Sequence, residues 1–165
     1  MIAAYVIVAL VALQRVIELA YARHNTSRLF TRGGIELGAK HYPLFVVLHF
    51  SWLLAMAVFV PRNIAVNWWL VGVFVALQAV RVWAIRSLGP YWTTRLITVP
   101  GTALVRRGPY RFMRHPNYAV VVGEIAVLPL ALGEPWVALI FSLFNAGVLA
   151  IRITTEEQAL AKRQP

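Results

Sequence analysis

The residues best suited to chemistry in this chain lie in the segment Gly108–Tyr118, which reads GPYRFMRHPNY. Turn-forming residues, aromatic rings, arginines and a histidine crowd together there between long apolar runs. Pro109 and Pro116 each fix φ and keep the preceding residue out of the helical region, so the segment should be short and stiff. Pro116 also suits the first turn of a helix beginning near Asn117, whose free N–H groups would face the basic cluster. The segment is therefore a candidate binding site for an anionic or polar ligand group. The alternative is a basic loop at a membrane surface.

A second polar cluster follows the last apolar run, where the chain reads RITTEEQAL from Arg152. Arg152 and Glu156 are four residues apart and share a helical face, while Glu157 points about 100° away. An arginine can hold an anionic oxygen through its planar fork, so this cluster is a second candidate for ligand contact. The alternative is a helix that leaves the membrane with a surface ion pair worth under ~1 kcal/mol.

The composition indicates what kind of fold must position these residues. The chain has 165 residues, of which 60% are hydrophobic and 13% charged, and its mean hydropathy is +0.68. Such a chain is too apolar for an ordinary soluble domain and is typical of a protein with several membrane spans. Cysteine and aspartate are absent and the four histidines are scattered, so we expect no disulfide, no thiolate nucleophile and no metal site.

The apolar runs predict an all-α, polytopic membrane protein that forms one domain over residues 1–165. The first run carries its charges after the apolar core, so we expect a retained span rather than a signal peptide. The last two runs are each about 25 Å long at the helical rise, slightly short of the ~30 Å hydrocarbon core. Five membrane-embedded helices are therefore expected, near 1–21, 43–60, 64–85, 117–133 and 135–152.

The positive charges predict the orientation of these helices. The chain carries a net charge of +10, with four Lys and Arg in 22–42, one in 61–63, six in 86–117 and three from Arg152 onwards. With five spans, these loops alternate sides, which places thirteen of the loop charges on one face and one on the other. The positive-inside rule then puts the N-terminus outside and the C-terminus in the cytoplasm. The basic character is thereby explained without a nucleic-acid partner.

Taken together, these blocks resemble a known family. GPYRxxRHPxY over 108–118, an apolar hairpin and then RxxxEE from Arg152 are similar to the isoprenylcysteine carboxyl methyltransferase family, integral membrane enzymes that use S-adenosylmethionine. The resemblance covers roughly 86–160, which would be the catalytic half of the chain. Leu88 and Gly89 before WTTR at 92–95, with the RHPNY form at 114–118, resemble the short bacterial branch. Members of that branch are associated with O-methylation of polyketide-derived lipids such as alkylpyrones.

The resemblance implies a cytoplasmic cofactor site formed by the 86–117 loop and the C-terminal helix. Arg152 would face the methyl acceptor and, with Glu156, is an expected catalytic residue. His49 and Glu124, polar side chains within apolar runs, are also assigned to the substrate, the alternative for His49 being a hydrogen bond to a neighbouring helix. The cofactor residues implied by the resemblance are Arg95, Thr102, Ala103, Leu104, Val105, Tyr110, His115, Pro116, Asn117, Tyr118 and Glu156.

The expected reaction suits these residue types. Methyl transfer from a sulfonium is an in-line displacement, which needs positioning and dehydration more than acid–base groups. We therefore expect an S-adenosylmethionine-dependent O-methyltransferase that acts on an isoprenylcysteine carboxylate or a polyketide-derived lipid. Membrane lipids are its other expected partners. Larger family members continue past the paired glutamates with an aromatic-rich tail, which makes a prenylated peptide the less favoured acceptor here. The alternatives are a phospholipid N-methyltransferase and a non-catalytic membrane protein whose basic loops bind lipids or a partner.

Overall fold

The computed structural model describes residues 1–61, 63, 65–103 and 105–161, and it contains a bundle of five α-helices. Two three-residue strands, β1 (Ile35–Leu37) and β2 (Leu96–Thr98), form a small antiparallel sheet. Short 3-10 turns precede α2, follow α3 and include Gly108–Arg111. The helices are α1 (Ile2–Phe30), α2 (Tyr42–Phe59), α3 (Trp68–Leu88), α4 (Pro116–Ala131) and α5 (Pro135–Ala161).

The prediction of an all-α polytopic membrane protein is confirmed. Within the described residues, four helices are long and apolar enough to cross a membrane, and α4, with 16 residues, is a shorter apolar helix. At 1.5 Å per residue α4 is about 24 Å long, less than the ~30 Å hydrocarbon core. Many large apolar side chains, such as Phe50, Trp69 and Leu143, are exposed on the bundle surface, where a membrane protein meets lipid tails.

Two helices are longer than the hydropathy pattern predicted. α1 continues nine residues past the expected end at residue 21, because the chain as far as Phe30 contains no proline or glycine. Asn25 supports this extension, since it is buried and donates hydrogen bonds to the carbonyl oxygens of Gly89 (3.2 Å) and Trp92 (2.8 Å). α5 likewise runs nine residues past 152 as one helix. Both extensions reach the end of the bundle that carries the predicted site.

The loops separate into two groups at opposite ends of the bundle. At one end β1 pairs with β2, which joins the α1–α2 connection to the α3–α4 connection. At the other end the backbone N–H of Asn67 donates to the carbonyl oxygen of Ala131 (2.9 Å), which joins the α2–α3 connection to the α4–α5 turn. We call the end with the two strands the site end. This alternation is the one expected for five consecutive spans.

Charged residues inside the bundle pair with one another across three helices. Arg81 of α3 lies 2.7 Å from Glu18 of α1 and 3.1 Å from Glu124 of α4. Arg15 of α1 lies 2.8 Å from Glu18 and 2.9 Å from Glu124. Gln78 adds a 2.7 Å hydrogen bond to Glu124. These four charged residues, here called the ion cluster, balance two positive against two negative charges, which lowers the cost of placing them in a membrane.

Candidate functional site

A cavity of about 940 Å³ lies at the site end, between β2, the loop that follows it, the first turn of α4 and the last turns of α5. Leu104 falls outside the described residues. Pro116 is buried at the start of α4 and is not among the described lining residues, and neither are His49 and Glu124. The predicted site residues that do line the cavity are Arg95, Thr102, Ala103, Val105, Tyr110, His115, Asn117, Tyr118, Arg152 and Glu156.

Gly108 allows the turn Gly108–Arg111 to pack closely against the end of α3. Its φ is +58°, a conformation that L side chains rarely adopt, and a Cβ there would overlap the hydroxyl of Ser87. Next to it, the Arg107 guanidinium donates a 2.7 Å hydrogen bond from Nε to the carbonyl oxygen of Ser87. The turn Gly108–Arg111 is thereby held against α3, so that Tyr110 and His115 reach the cavity from a fixed base.

A chain of three side chains crosses the cavity wall. The Arg152 Nε donates to the Tyr118 hydroxyl (2.9 Å), which in turn donates to Glu156 Oε2 (2.7 Å). Arg152 Nη2 also donates to the carbonyl oxygen of Thr94 (2.8 Å), and its guanidinium carbon lies 4.7 Å from the centre of the Phe45 ring. No direct ion pair joins Arg152 to Glu156 within the described chain. The two residues expected to share a helical face are therefore connected through the phenol of Tyr118.

His115 connects this chain to the loop. Its ring stacks on Tyr118 with centroids 5.1 Å apart, and its Nδ1 lies 3.5 Å from Glu156 Oε2. Its Nε2 lies 4.0 Å from Glu157 Oε1. His115, Tyr118 and the two glutamates thus form one polar group on the α4–α5 side of the cavity.

Three buried polar atoms around the cavity lack a hydrogen-bond partner among the described residues. They are the Thr98 hydroxyl oxygen, His115 Nε2 and Asn117 Oδ1. All three residues line the cavity. Because buried polar atoms in native proteins are almost always satisfied, these atoms indicate a surface built to meet a polar ligand or water.

Two further cavity residues have their electrostatic state set by neighbours. Burial, and secondarily the Glu156 carboxylate, raise the pKa of the Tyr110 phenol above its usual range, so this phenol remains a neutral hydrogen-bond donor. Arg95 contacts both carboxylate oxygens of Glu36 from Nη1, at 2.9 and 3.0 Å, and its guanidinium lies 4.7 Å from the centre of the Tyr42 ring. Arg95, the residue before β2, therefore pairs with Glu36 of β1 while it lines the cavity.

The α1–α2 connection and α2 contribute partners to the site that the sequence did not indicate. Glu36, Tyr42 and Phe45 hold Arg95 and Arg152 from that side. Glu36 is the one acidic residue of the 22–42 stretch, and this feature of the sequence could have predicted an ion pair for it. Phe45 sits in an unbroken apolar run and gave no signal.

The two intramembrane residues assigned to the substrate lie elsewhere. Glu124 is 2% exposed and belongs to the ion cluster, with hydrogen bonds from Gln78 and Arg81. His49 Nδ1 lies 2.9 Å from the carbonyl oxygen of Phe45, one turn earlier in the same helix rather than in a neighbouring helix. A substrate contact for either residue stays a prediction. In the structure, Glu124 also forms ion pairs that join α4 to α1 and α3.

The helical bundle and its cavity define a polytopic membrane protein, and comparison with known proteins supplies its family. Residues 70–162 match the isoprenylcysteine carboxyl methyltransferase (ICMT) family, which covers more than half of the chain. The chain belongs to this family, as its motifs predicted, and membership supports a membrane methyltransferase.

Two curated bacterial proteins are similar over nearly their whole length. The chain is 40% identical over 160 residues to the uncharacterized protein YpbQ of Bacillus subtilis (strain 168), covering 94% of this chain and 95% of YpbQ. It is 24% identical over 156 residues to an uncharacterized protein of Haemophilus influenzae (strain ATCC 51907 / DSM 11121 / KW20 / Rd), covering 92% and 91%. No solved structure gives a significant match.

Proposed function

We propose that this protein is an S-adenosylmethionine-dependent O-methyltransferase that acts on a lipophilic acceptor at the cytoplasmic face of the membrane. The observation that carries the proposal is the chain from Arg152 through Tyr118 to Glu156 in the wall of the cavity. Its guanidinium and its carboxylate, joined through one phenol, support a site that holds an acceptor oxygen next to a cationic cofactor. Membership of a membrane methyltransferase family supports the same reaction class.

The polar atoms around the cavity fit S-adenosylmethionine. The unpartnered atoms of Thr98, His115 and Asn117 suit the hydrogen-bonding groups of a nucleoside or an amino acid. Glu156 and Glu157, with side chains 30% and 52% exposed, can accept hydrogen bonds from an ammonium or a ribose. The stacked rings of His115 and Tyr118 offer an aromatic surface to an adenine or a sulfonium.

Arg152 is the group that we assign to the acceptor. Its Nε and Nη2 are bonded to Tyr118 and to the Thr94 carbonyl, while Nη1 donates no hydrogen bond within the described part of the chain. A guanidinium remains charged at any physiological pH, so Arg152 can hold an anionic oxygen without a change of protonation state. When bound, the cofactor would supply an electrophilic methyl group, whose S–C bond breaks as an ionised carboxylate oxygen forms the O–C bond; the neutral thioether leaves, and no general base is needed.

The proposal is tested by following a labelled methyl group into membrane lipids. Membranes containing the protein are incubated with methyl-labelled S-adenosylmethionine, and the labelled products are extracted and identified by mass spectrometry. We expect label on an oxygen of a lipid, and expect it to disappear with Arg152→Ala. Label on nitrogen would instead establish the phospholipid N-methyltransferase alternative. Wild-type membranes that label no lipid would favour the non-catalytic alternative.

A further inference from the structure

Three arginines at the cavity have no direct ion-pair partner among the described residues. Arg106, Arg111 and Arg114, here called the arginine rim, all line the cavity and are exposed. None of them makes an ion pair or donates a side-chain hydrogen bond within the described part of the chain, although the Arg111 guanidinium lies over the Phe112 ring, 4.9 Å from its centre. Arg95 and Arg152 differ, since Glu36 neutralises the first and Tyr118 and Thr94 hold the second.

The cavity therefore carries an excess of positive charge. Five arginines and two glutamates line it, and Glu36 offsets one of the arginines, which leaves two positive charges unbalanced. S-adenosylmethionine adds to this excess, because its sulfonium and ammonium outweigh its one carboxylate. Further cations at a cavity that binds a net-cationic cofactor favour a second ligand that brings negative charge. The rim is thus explained by an acceptor with an anionic group.

An acceptor with two anionic groups is compatible with the proposed function, one group for Arg152 and one for the arginine rim. Arg152 is assigned to the oxygen that receives the methyl group, and one guanidinium is enough for one carboxylate. Three additional guanidiniums match a group with more oxygens and more charge, and the planar fork of arginine fits phosphate in particular.

The surroundings of the rim indicate where the remainder of the acceptor lies. Phe112 and Met113 stand between two of the rim arginines and are 70% and 50% exposed. Cations next to exposed apolar side chains are typical of a segment at the boundary between headgroups and acyl chains. An amphiphile whose phosphate lies on the rim could therefore keep its apolar chain in the bilayer.

We infer that the acceptor is a phosphate-bearing amphiphile whose phosphate binds Arg106, Arg111 and Arg114 at the cavity, a class that differs from the isoprenylcysteine and polyketide lipids implied by the family resemblance. The inference rests on the proposed function, since it concerns the acceptor of that same site. It distinguishes two sets of arginines, with Arg152 serving the methylated oxygen and the rim serving the phosphate. The same chemistry could be met by free phosphate, and the test separates the two sources.

The test measures binding of three probes to the purified protein in a neutral detergent. The probes are dodecyl phosphate, dodecanol and inorganic phosphate. The rim variant carries Arg111→Gln and Arg114→Gln. The control carries Arg28→Gln and Arg32→Gln, which removes the same charge from exposed arginines at the same end of the bundle, outside the cavity lining. S-adenosylmethionine binding is measured on every protein.

We expect the wild type to bind dodecyl phosphate at least ~10-fold more tightly than either other probe, and the rim variant to lose ~10- to 100-fold while the control stays within about twofold. An equal loss in the control would show general attraction to anionic surfaces and overturn the inference. If inorganic phosphate binds as tightly as dodecyl phosphate, the apolar chain contributes nothing, and the inference of an amphiphilic ligand is wrong. If wild type fails to bind S-adenosylmethionine while the phosphate results hold, the proposed function fails and the rim remains an anion site.

Discussion

At the scale of single residues, the hydroxyl of Tyr118 lies at the centre of the candidate site. It accepts a hydrogen bond from Arg152 and donates one to Glu156, so one oxygen links the arginine that we assign to the acceptor with the glutamate that we assign to the cofactor. The sequence predicted that Arg152 and Glu156 lie on one helical face, because spacing of four residues fixes that. It could not predict that a tyrosine from α4 would sit between them, because this depends on how α4 and α5 are offset along their axes.

Arg152→Lys is predicted to lose most of the turnover and to retain cofactor affinity within a few-fold. A lysine ammonium can replace the charge but cannot contact the Tyr118 hydroxyl and the Thr94 carbonyl and also present a planar pair of donors to the acceptor. Truncating such a charge-assisted contact costs ~2–5 kcal/mol, roughly 30-fold to several thousandfold in rate. Turnover and cofactor binding are measured side by side. A lysine variant with normal turnover would assign Arg152 to structure alone.

Glu134, in the α4–α5 turn opposite the site end, is predicted to make folding stability depend on pH. It is 4% exposed, neither carboxylate oxygen has a hydrogen-bond partner among the described residues, and burial raises its pKa to about 7. Because the folded state favours the protonated form, stability should fall as pH rises from about 4.5 to about 7 and then level off. Glu134→Gln imitates the protonated form and should therefore unfold at a higher temperature than wild type at pH 8.

The same variant provides its own control at low pH. At pH 4.5 wild-type Glu134 is protonated in the folded protein, so the two proteins should melt at nearly the same temperature. A variant that is less stable than wild type at pH 8 would show that the carboxylate has a stabilising partner.

At the scale of elements, the ion pairs of the ion cluster connect α1 to α3 and α4. Glu124→Gln removes one of two negative charges and leaves Arg15 and Arg81 facing Glu18 alone. Breaking a buried ion pair in this way costs ~3–5 kcal/mol, so we predict a large fall in thermal stability in detergent. The double variant Arg15→Gln with Glu124→Gln restores the balance of charge and should recover much of the loss.

The double variant also tests the assignment of Glu124 to the substrate. If Glu124 acts only in packing, turnover should recover together with stability. Recovered stability without turnover would instead support contact between Glu124 and the acceptor. A single Glu124→Gln variant as stable as wild type would show that the cluster contributes little to helix packing.

Hydrophobic patterning predicted the number and kind of the helices but not the small elements that complete the site. Five apolar runs separated by polar or proline-containing stretches correspond to the five helices. β1 and β2 escaped prediction because three residues are too few to show a period of two, and their pairing depends on contacts about 60 residues apart. The extension of α1 was missed since polar residues 22–30 look like a loop by hydropathy, although Asn25 anchors them beside Trp92.

At the scale of the whole molecule, the position of the site end relative to the membrane is the decisive geometric prediction. The excess of lysine and arginine at the connections that meet at the site end predicts that this end faces the cytoplasm. Reporter fusions at Arg62 and at Pro165, both outside the described residues, should report opposite sides, with Pro165 in the cytoplasm. Both reporters on one side would contradict the five-span topology, and exchanged sides would contradict a cytoplasmic site.

Binding of S-adenosylmethionine to the cavity at the site end can be measured by calorimetry on the purified protein in detergent. We expect wild type to bind in the low-to-mid micromolar range, roughly −7 to −8 kcal/mol. His115→Ala and Glu156→Ala should each weaken binding at least ~10-fold, because each removes a polar group of the cavity wall. Glu134→Gln, which alters a carboxylate at the opposite end, should bind like wild type. A wild-type protein without measurable affinity would show that the cavity does not bind S-adenosylmethionine, and cavity variants that both bind as tightly as wild type would show that the cofactor lies elsewhere.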